Sequence, residues 1–158
     1  MRLKVTLNGK ELVSALNESY TTNSLIAKIC QINLFVNDFD LGCHLLDGLL
    51  VSTPVGSTAY ALSAGGSIID HTIKAMQIVP VNSVSRHIRP FVVPSNTKIT
   101  IKVPETFKGD VVVMNDGLLE GTFKKDSILE ITKAKNETAF IRFPEYSFIK
   151  RLKDKLDF

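Results

Sequence analysis

The densest chemistry lies between Asp47 and Gly66, in the run Asp47-Gly48-Leu49-Leu50-Val51-Ser52-Thr53-Pro54-Val55-Gly56-Ser57-Thr58-Ala59-Tyr60-Ala61-Leu62-Ser63-Ala64-Gly65-Gly66. It reads as a buried strand, a tight turn at Pro54–Gly56 and a helix whose first turn offers backbone N–H groups and two hydroxyls, an arrangement suited to a polar or anionic ligand. Gly56 would let a ligand approach the backbone closely, and Tyr60 can stack or donate. An ordinary capped helix closed by Gly65-Gly66 explains the same residues. No lysine follows the glycine as in a Walker A loop, and GxGxxG does not occur. Asn17-Glu18 is a second candidate: adjacent amide and carboxylate at a strand end can read an adenine edge and ribose hydroxyls, or simply form a turn. Asp116-Gly117 taken alone is a hairpin turn, and Arg89-Pro90 an extended step before an apolar strand. None of these holds a nucleophile–base pair or a carboxylate dyad.

The elements that must position these groups are mostly strands. Leu3, Val5 and Leu7 share one face of Arg2–Leu7, Asn8-Gly9 signals a hairpin, and Leu12–Leu16 would be the returning strand. Ile26, Ile32, Leu34 and Val36 share a parity, Asn37-Asp38 turns the chain, and apolar segments resume at Phe39. Further strands are predicted at Leu49–Thr53, Ala75–Val81, Phe91–Val93, Lys98–Val103, Val111–Asn115, Ser127–Thr132 and Thr138–Phe143. Short strands punctuated by turn residues indicate a mainly β fold, a distorted β-sandwich. Two segments interrupt it. One is a short helix within Gly56–Ile69, capped by Ser57 or Thr58. The other is a short amphipathic C-terminal helix in Glu145–Phe158, with Phe148, Leu152 and Leu156 at helical spacing and its lysines on a solvated face.

The 158 residues, 44% hydrophobic and 22% charged, describe a single domain that can bury about two-thirds of its unfolded surface. A net charge of +3 gives no general polyanion-binding surface, so nucleic acid is not an expected partner. No apolar run approaches the ~20 residues needed to span a bilayer, and the opening residues do not resemble a signal peptide. A cytoplasmic protein without membrane contact is expected. Cys30 and Cys43 are read as reduced core thiols, and His44, His71 and His87 lack zinc-site spacing.

In order, Ala15-Leu16-Asn17-Glu18, the Asp47–Tyr60 block, Ser63-Ala64-Gly65-Gly66, Arg89-Pro90, Asp116-Gly117 and Lys155-Leu156 resemble the C-terminal domain of the NAD kinases from about Arg2 onward. Members of that family transfer a phosphoryl group from ATP, or in some cases polyphosphate, to the 2′-hydroxyl of the adenosine ribose of NAD, with a divalent metal such as Mg. They pair an N-terminal α/β domain with a β-rich C-terminal domain and assemble as homodimers or homotetramers. The resemblance implies that Asn17 and Glu18 grip the adenosine. It places Asp47 near the nicotinamide amide and makes Thr58, Ala59, Tyr60 and Ser63, with Ala61 and Leu62 between them, the wall of a nucleotide pocket. Lys28 stands where relatives carry a basic residue. The family's Gly-Gly-Asp-Gly loop, whose aspartate serves as base, belongs to the N-terminal domain and is absent from these residues. The expectation is therefore a chain that binds nucleotide without catalysing alone and relies on an N-terminal domain. The alternatives are a lipid-kinase-like C-terminal domain and a non-enzymatic β-rich assembly or regulatory module.

Overall fold

The structure, a computed structural model, describes residues 1–85, 87–143 and 147–156. Strands β1 (Leu3–Leu7), β2 (Lys10–Glu11), β3 (Glu18–Asn23), β4 (Cys30–Val36), β5 (Phe39–Leu46) and β6 (Gly48–Ser52) lead into a single 3-10 turn at Gly56–Thr58 and helix α1 (Tyr60–Ser63). Strands β7 (Ala75–Val81), β8 (Phe91–Pro94), β9 (Ile99–Lys102), β10 (Val111–Asn115), β11 (Leu118–Phe123) and β12 (Ile128–Lys133) precede helix α2 (Phe148–Leu156). They form two six-stranded sheets, ordered β2-β1-β12-β9-β4-β5 and β11-β10-β3-β6-β7-β8, and the named pairings are antiparallel.

Alternation along the strands builds the core between the sheets. Leu3, Val5, Ile32, Leu34, Leu129 and Ile131 from one sheet meet Leu49, Val51, Met76, Ile78, Val111 and Val113 from the other. Strands β6 and β7 are buried along their whole length, because Leu50, Val79 and Val81 on their outer face are covered by Ala61 and Ala64 of α1 and its end. Burial on both faces explains why these two strands read as continuous apolar runs. Three hairpins turn on pairs of left-handed residues, Asn8-Gly9, Asn37-Asp38 and Asp116-Gly117, whose positive φ at both positions matches the twist of the flanking strands.

Several expectations are corrected. The strand expected at Leu12–Leu16 reduces to Lys10–Glu11 plus a single bridge between Ala15 and Leu3, because the chain here crosses from one sheet to the other. Thr138–Phe143 forms no strand, and Ile141 is 99% exposed. Ile26 precedes β4 instead of extending it and is 97% exposed. Cys30 is buried as expected, whereas Cys43 is exposed. The C-terminal helix spans Phe148–Leu156, with Phe148, Leu152 and Leu156 half-buried and Lys153 and Lys155 exposed. Glu145, Tyr146, Asp157 and Phe158 lie outside the described residues.

Candidate functional site

Where β6 ends, backbone groups of Leu16, Asn17 and residues 53–57 tie two chain segments together. Thr53 donates its N–H to the Asn17 carbonyl (2.9 Å) and its hydroxyl to the Leu16 carbonyl (2.7 Å). The same Thr53 Oγ1 accepts from the Gly56 N–H (3.0 Å), and the Ser52 hydroxyl reaches the Asn17 carbonyl (3.3 Å). Gly56 is required by this crossing: a Cβ there would fall 2.1 Å from the Asn17 carbonyl oxygen. The close approach expected of a ligand at Gly56 is made by the protein's own backbone.

The helix after the turn is shorter than the sequence suggested. Ala59, at φ −99° and ψ −134°, separates the 3-10 turn from α1, and no side chain caps either piece. Ser57 instead donates to the Pro54 carbonyl (2.7 Å) and accepts from the Ile69 N–H (3.0 Å), fully buried. Backbone N–H groups of Ser57 and Ala59 bond to Pro54 and Gly56 carbonyls, so two of the donors expected at the helix start are satisfied internally. Gly65, at φ +84°, ends α1. The Gly65 N–H bonds to the Leu62 carbonyl and the Gly66 N–H to the Ala61 carbonyl, the pair of bonds of a Schellman cap.

Beside α1 lies a groove of about 500 Å³ lined in part by Tyr20, Thr22, Lys28, Asp47, Tyr60 and Asn82. Tyr20 lies over Gly48, where a Cβ would come within 2.2 Å of its ring. Tyr20 meets Tyr60 edge to face, with ring centroids 5.3 Å apart, a favoured aromatic geometry. Burial pushes the Tyr20 hydroxyl up to about 12, which keeps it a neutral donor. The Asp47 carboxylate accepts from the Asn82 amide (2.9 Å), and its backbone carbonyl accepts from the Thr22 hydroxyl (2.6 Å). Asn82 reaches this position through a left-handed backbone, φ 46°.

The expected site residues therefore fall into three adjoining places. Lys28, Asp47 and Tyr60 share the groove, with Lys28 exposed at its rim. Thr58 lines a second hollow of about 360 Å³ with Val55, His71, Arg142, Arg151 and Lys155. Asn17 sits under the 53–56 turn, and Glu18 follows it opposite Ser52. Ala59 and Leu62 are half-buried, Ser63 is exposed, and Ala61 is fully buried against Leu50 and Val79.

Glu18 is the electrostatically unusual member. Only 8% exposed, it has one carboxylate oxygen without a hydrogen-bond partner. Burial first, and the nearby Asp116 carboxylate second, raise its pKa from 4.5 to about 7. The Asp116 carboxylate itself accepts the N–H groups of Leu16 (2.7 Å), Asn17 (2.7 Å) and Glu18 (3.2 Å). Tyr20 and Asn82 are not among the site residues expected from the sequence, and Asp116 is expected there as a hairpin turn and as part of the family's motif order, without a site role; the left-handed Asp-Gly and the aromatic flanked by hydroxyl residues are the available signals.

The profile of the ATP-NAD kinase C-terminal domain matches residues 16–143. This chain belongs to the NAD kinase C-terminal domain family. An NAD kinase of Methanosarcina acetivorans is 38% identical over 156 residues, which cover 99% of this chain and 56% of that relative. An NAD kinase of Borreliella burgdorferi is 33% identical over 159 residues, covering 99% and 57%. The chain thus spans little more than half the length of the curated NAD kinases it matches. In fold it resembles yeast NADH kinase, crystallised with NADH (TM-score 0.87, 23% identity, 99% of this chain and 49% of that one). It also resembles an Archaeoglobus fulgidus NAD kinase in complex with ATP (TM-score 0.71, 26% identity, 85% and 52%). The NAD kinase profile begins at Leu16, the first amide held by Asp116, and ends at Phe143, ahead of α2.

Proposed function

We propose that this chain is the acceptor-binding half of an NAD kinase, which phosphorylates the 2′-hydroxyl of the adenosine ribose of NAD to give NADP. The observation that carries the reading is the family match over residues 16–143 together with the packing of Asn17 directly beneath the Thr53–Gly56 turn, with Glu18 next to it opposite Ser52. Asn17 and Glu18 hold the adenosine: an amide supplies both donor and acceptor, and a half-ionised carboxyl accepts ribose hydroxyls. Asp47 serves the nicotinamide amide, its carboxylate already oriented by Asn82. Thr58, Ala59, Tyr60 and Ser63 form the pocket wall with Ala61 and Leu62 between them, Ala61 buried against Leu50 and Val79, and Lys28 adds positive charge at the rim.

Phosphoryl transfer is chiefly a matter of positioning and charge neutralisation. Among the described residues no group of three or more His, Cys, Asp or Glu side chains could hold a metal. The catalytic base, the cation and the ATP or polyphosphate phosphates are assigned to an N-terminal α/β domain, and this chain to binding and orienting NAD. We assign it to a cytoplasmic homodimer or homotetramer; among the described residues no helix is long and apolar enough to cross a membrane. Joining the chain to the N-terminal half of a close relative tests the reading: ATP-dependent formation of NADP supports it, and a well-folded two-domain protein that makes none refutes it.

A further inference from the structure

Six hydrogen bonds run from the β10–β11 hairpin to residues 13–18, the segment that crosses between the sheets and the first residue of β3. Glu120 accepts the Val13 N–H (3.1 Å) and Asn115 donates its amide to the Val13 carbonyl (2.6 Å). At the tip, the Asp116 carboxylate gathers the three consecutive N–H groups of Leu16, Asn17 and Glu18, and the Asp116 N–H returns a bond to the Glu18 carbonyl (3.0 Å). An ionised acceptor facing three backbone donors makes charge-assisted bonds, stronger than neutral ones. On the opposite side, the carbonyls of Leu16 and Asn17 are taken by Ser52 and Thr53. The peptide that presents Asn17 and Glu18 is thus held on both edges.

We infer that Asp116 is a positioning residue for NAD binding, acting through the backbone of Asn17 and Glu18 without touching the nucleotide. The inference rests on the reading of Asn17 and Glu18 as nucleotide contacts. Asp116 occupies the left-handed first position of its turn, φ 49°, a conformation that aspartate tolerates well, and this aims its carboxylate across the sheet edge. From β6 the residue opposite Glu18 is Ser52, and β10 ends at Asn115; both are uncharged. Asp116 is therefore the charged group set against Glu18 among the described residues, and it raises the Glu18 pKa as well as fixing its backbone. One side chain fixes where the adenosine-reading pair stands and adds to the burial that keeps its carboxyl protonated.

The test uses Asp116→Asn, with Asp116→Ser as a second variant, in the protein joined to its N-terminal half. Two measurements are made: NAD affinity across pH 5 to 9 and hydrogen exchange at residues 16–18. Displacing the pair by a fraction of an ångström should weaken NAD binding about tenfold or more. The pH midpoint that Glu18 brings to binding should move downward once the neighbouring negative charge is gone, because Asp116 adds to the rise in the Glu18 pKa. A merely structural residue would not move that midpoint. Amides of Leu16, Asn17 and Glu18 should exchange faster in both variants. Unchanged affinity and midpoint in a folded variant would overturn the inference, as would unchanged exchange. If the parent binds no NAD while the variants lose amide protection, the functional reading fails and Asp116 remains the clasp of this segment.

Discussion

Gly56 presses directly on Asn17: a side chain on the glycine would begin 2.1 Å from the Asn17 carbonyl oxygen and 2.6 Å from its Cα. The contact joins the turn that opens the pocket wall to the residue assigned to the adenosine. Because the obstruction is backbone, no rotamer change can relieve Gly56→Ala, and either the turn or the 16–18 segment must move. The expected loss is roughly 1–3 kcal/mol, several degrees of Tm, measured by thermal unfolding. NAD affinity should fall with it.

Gly48 offers the contrasting case. Its Cβ would collide with the Tyr20 ring, 2.2 Å from Cε2, and a ring can swing aside. Gly48→Ala should therefore displace Tyr20 from its edge-to-face contact with Tyr60, at a cost of about 1 kcal/mol. The measurement is near-UV circular dichroism: the tyrosine signal should weaken while the far-UV spectrum stays unchanged.

Glu18 links stability to pH. The folded protein keeps its proton up to about pH 7, against an ordinary value of 4.5, so between these values the folded state binds more protons than the unfolded chain. The contribution of this group is fully favourable below pH 4.5 and is lost as pH rises through 7, a change of about 3 kcal/mol. Glu18→Gln removes the titration. Its Tm should rise relative to the parent on going from pH 5 to pH 8, and parallel Tm curves for the two proteins would rule the effect out.

The two thiols should differ in reactivity. Burial pushes Cys30 up to about 12, and its thiol donates to the Leu46 carbonyl (3.3 Å), so it lacks the thiolate that alkylation requires. Cys43 is exposed. Iodoacetamide should label Cys43 in the folded protein and reach Cys30 only after unfolding, which peptide mass spectrometry reads directly.

Much of this fold could be read from the chain because local and tertiary preferences agree. Val111–Asn115 alternates and forms the predicted strand, Ala75–Val81 is apolar throughout because it is covered on both faces, and Asn8-Gly9 and Asn37-Asp38 turn as their left-handed tolerance predicts. The strand Glu18–Asn23 escaped notice because its inward positions, Ser19 and Thr21, carry hydroxyls and are fully buried. Those small polar residues face the core opposite Val51 and Leu49, a tertiary fact with no periodic signature. Leu118–Phe123 begins with exposed Leu118 and Leu119 and so shows no clean alternation. The residues of the candidate site were visible by type and order, but their arrangement was not. Ser57 looked like a helix cap and is a buried link to Ile69, Gly56 looked like an opening for a ligand, and Asp116 looked like a turn. Each of these roles depends on a residue at least twelve positions away in sequence, beyond the reach of local pattern.

The proposal that Asn17 and Glu18 hold the adenosine of NAD is tested by calorimetric titration of NAD into the two-domain protein, parent against Asn17→Ala plus Glu18→Ala. Saturable heat is expected for the parent and none for the folded double variant. Equal affinity in both, or no binding by the parent, would contradict it.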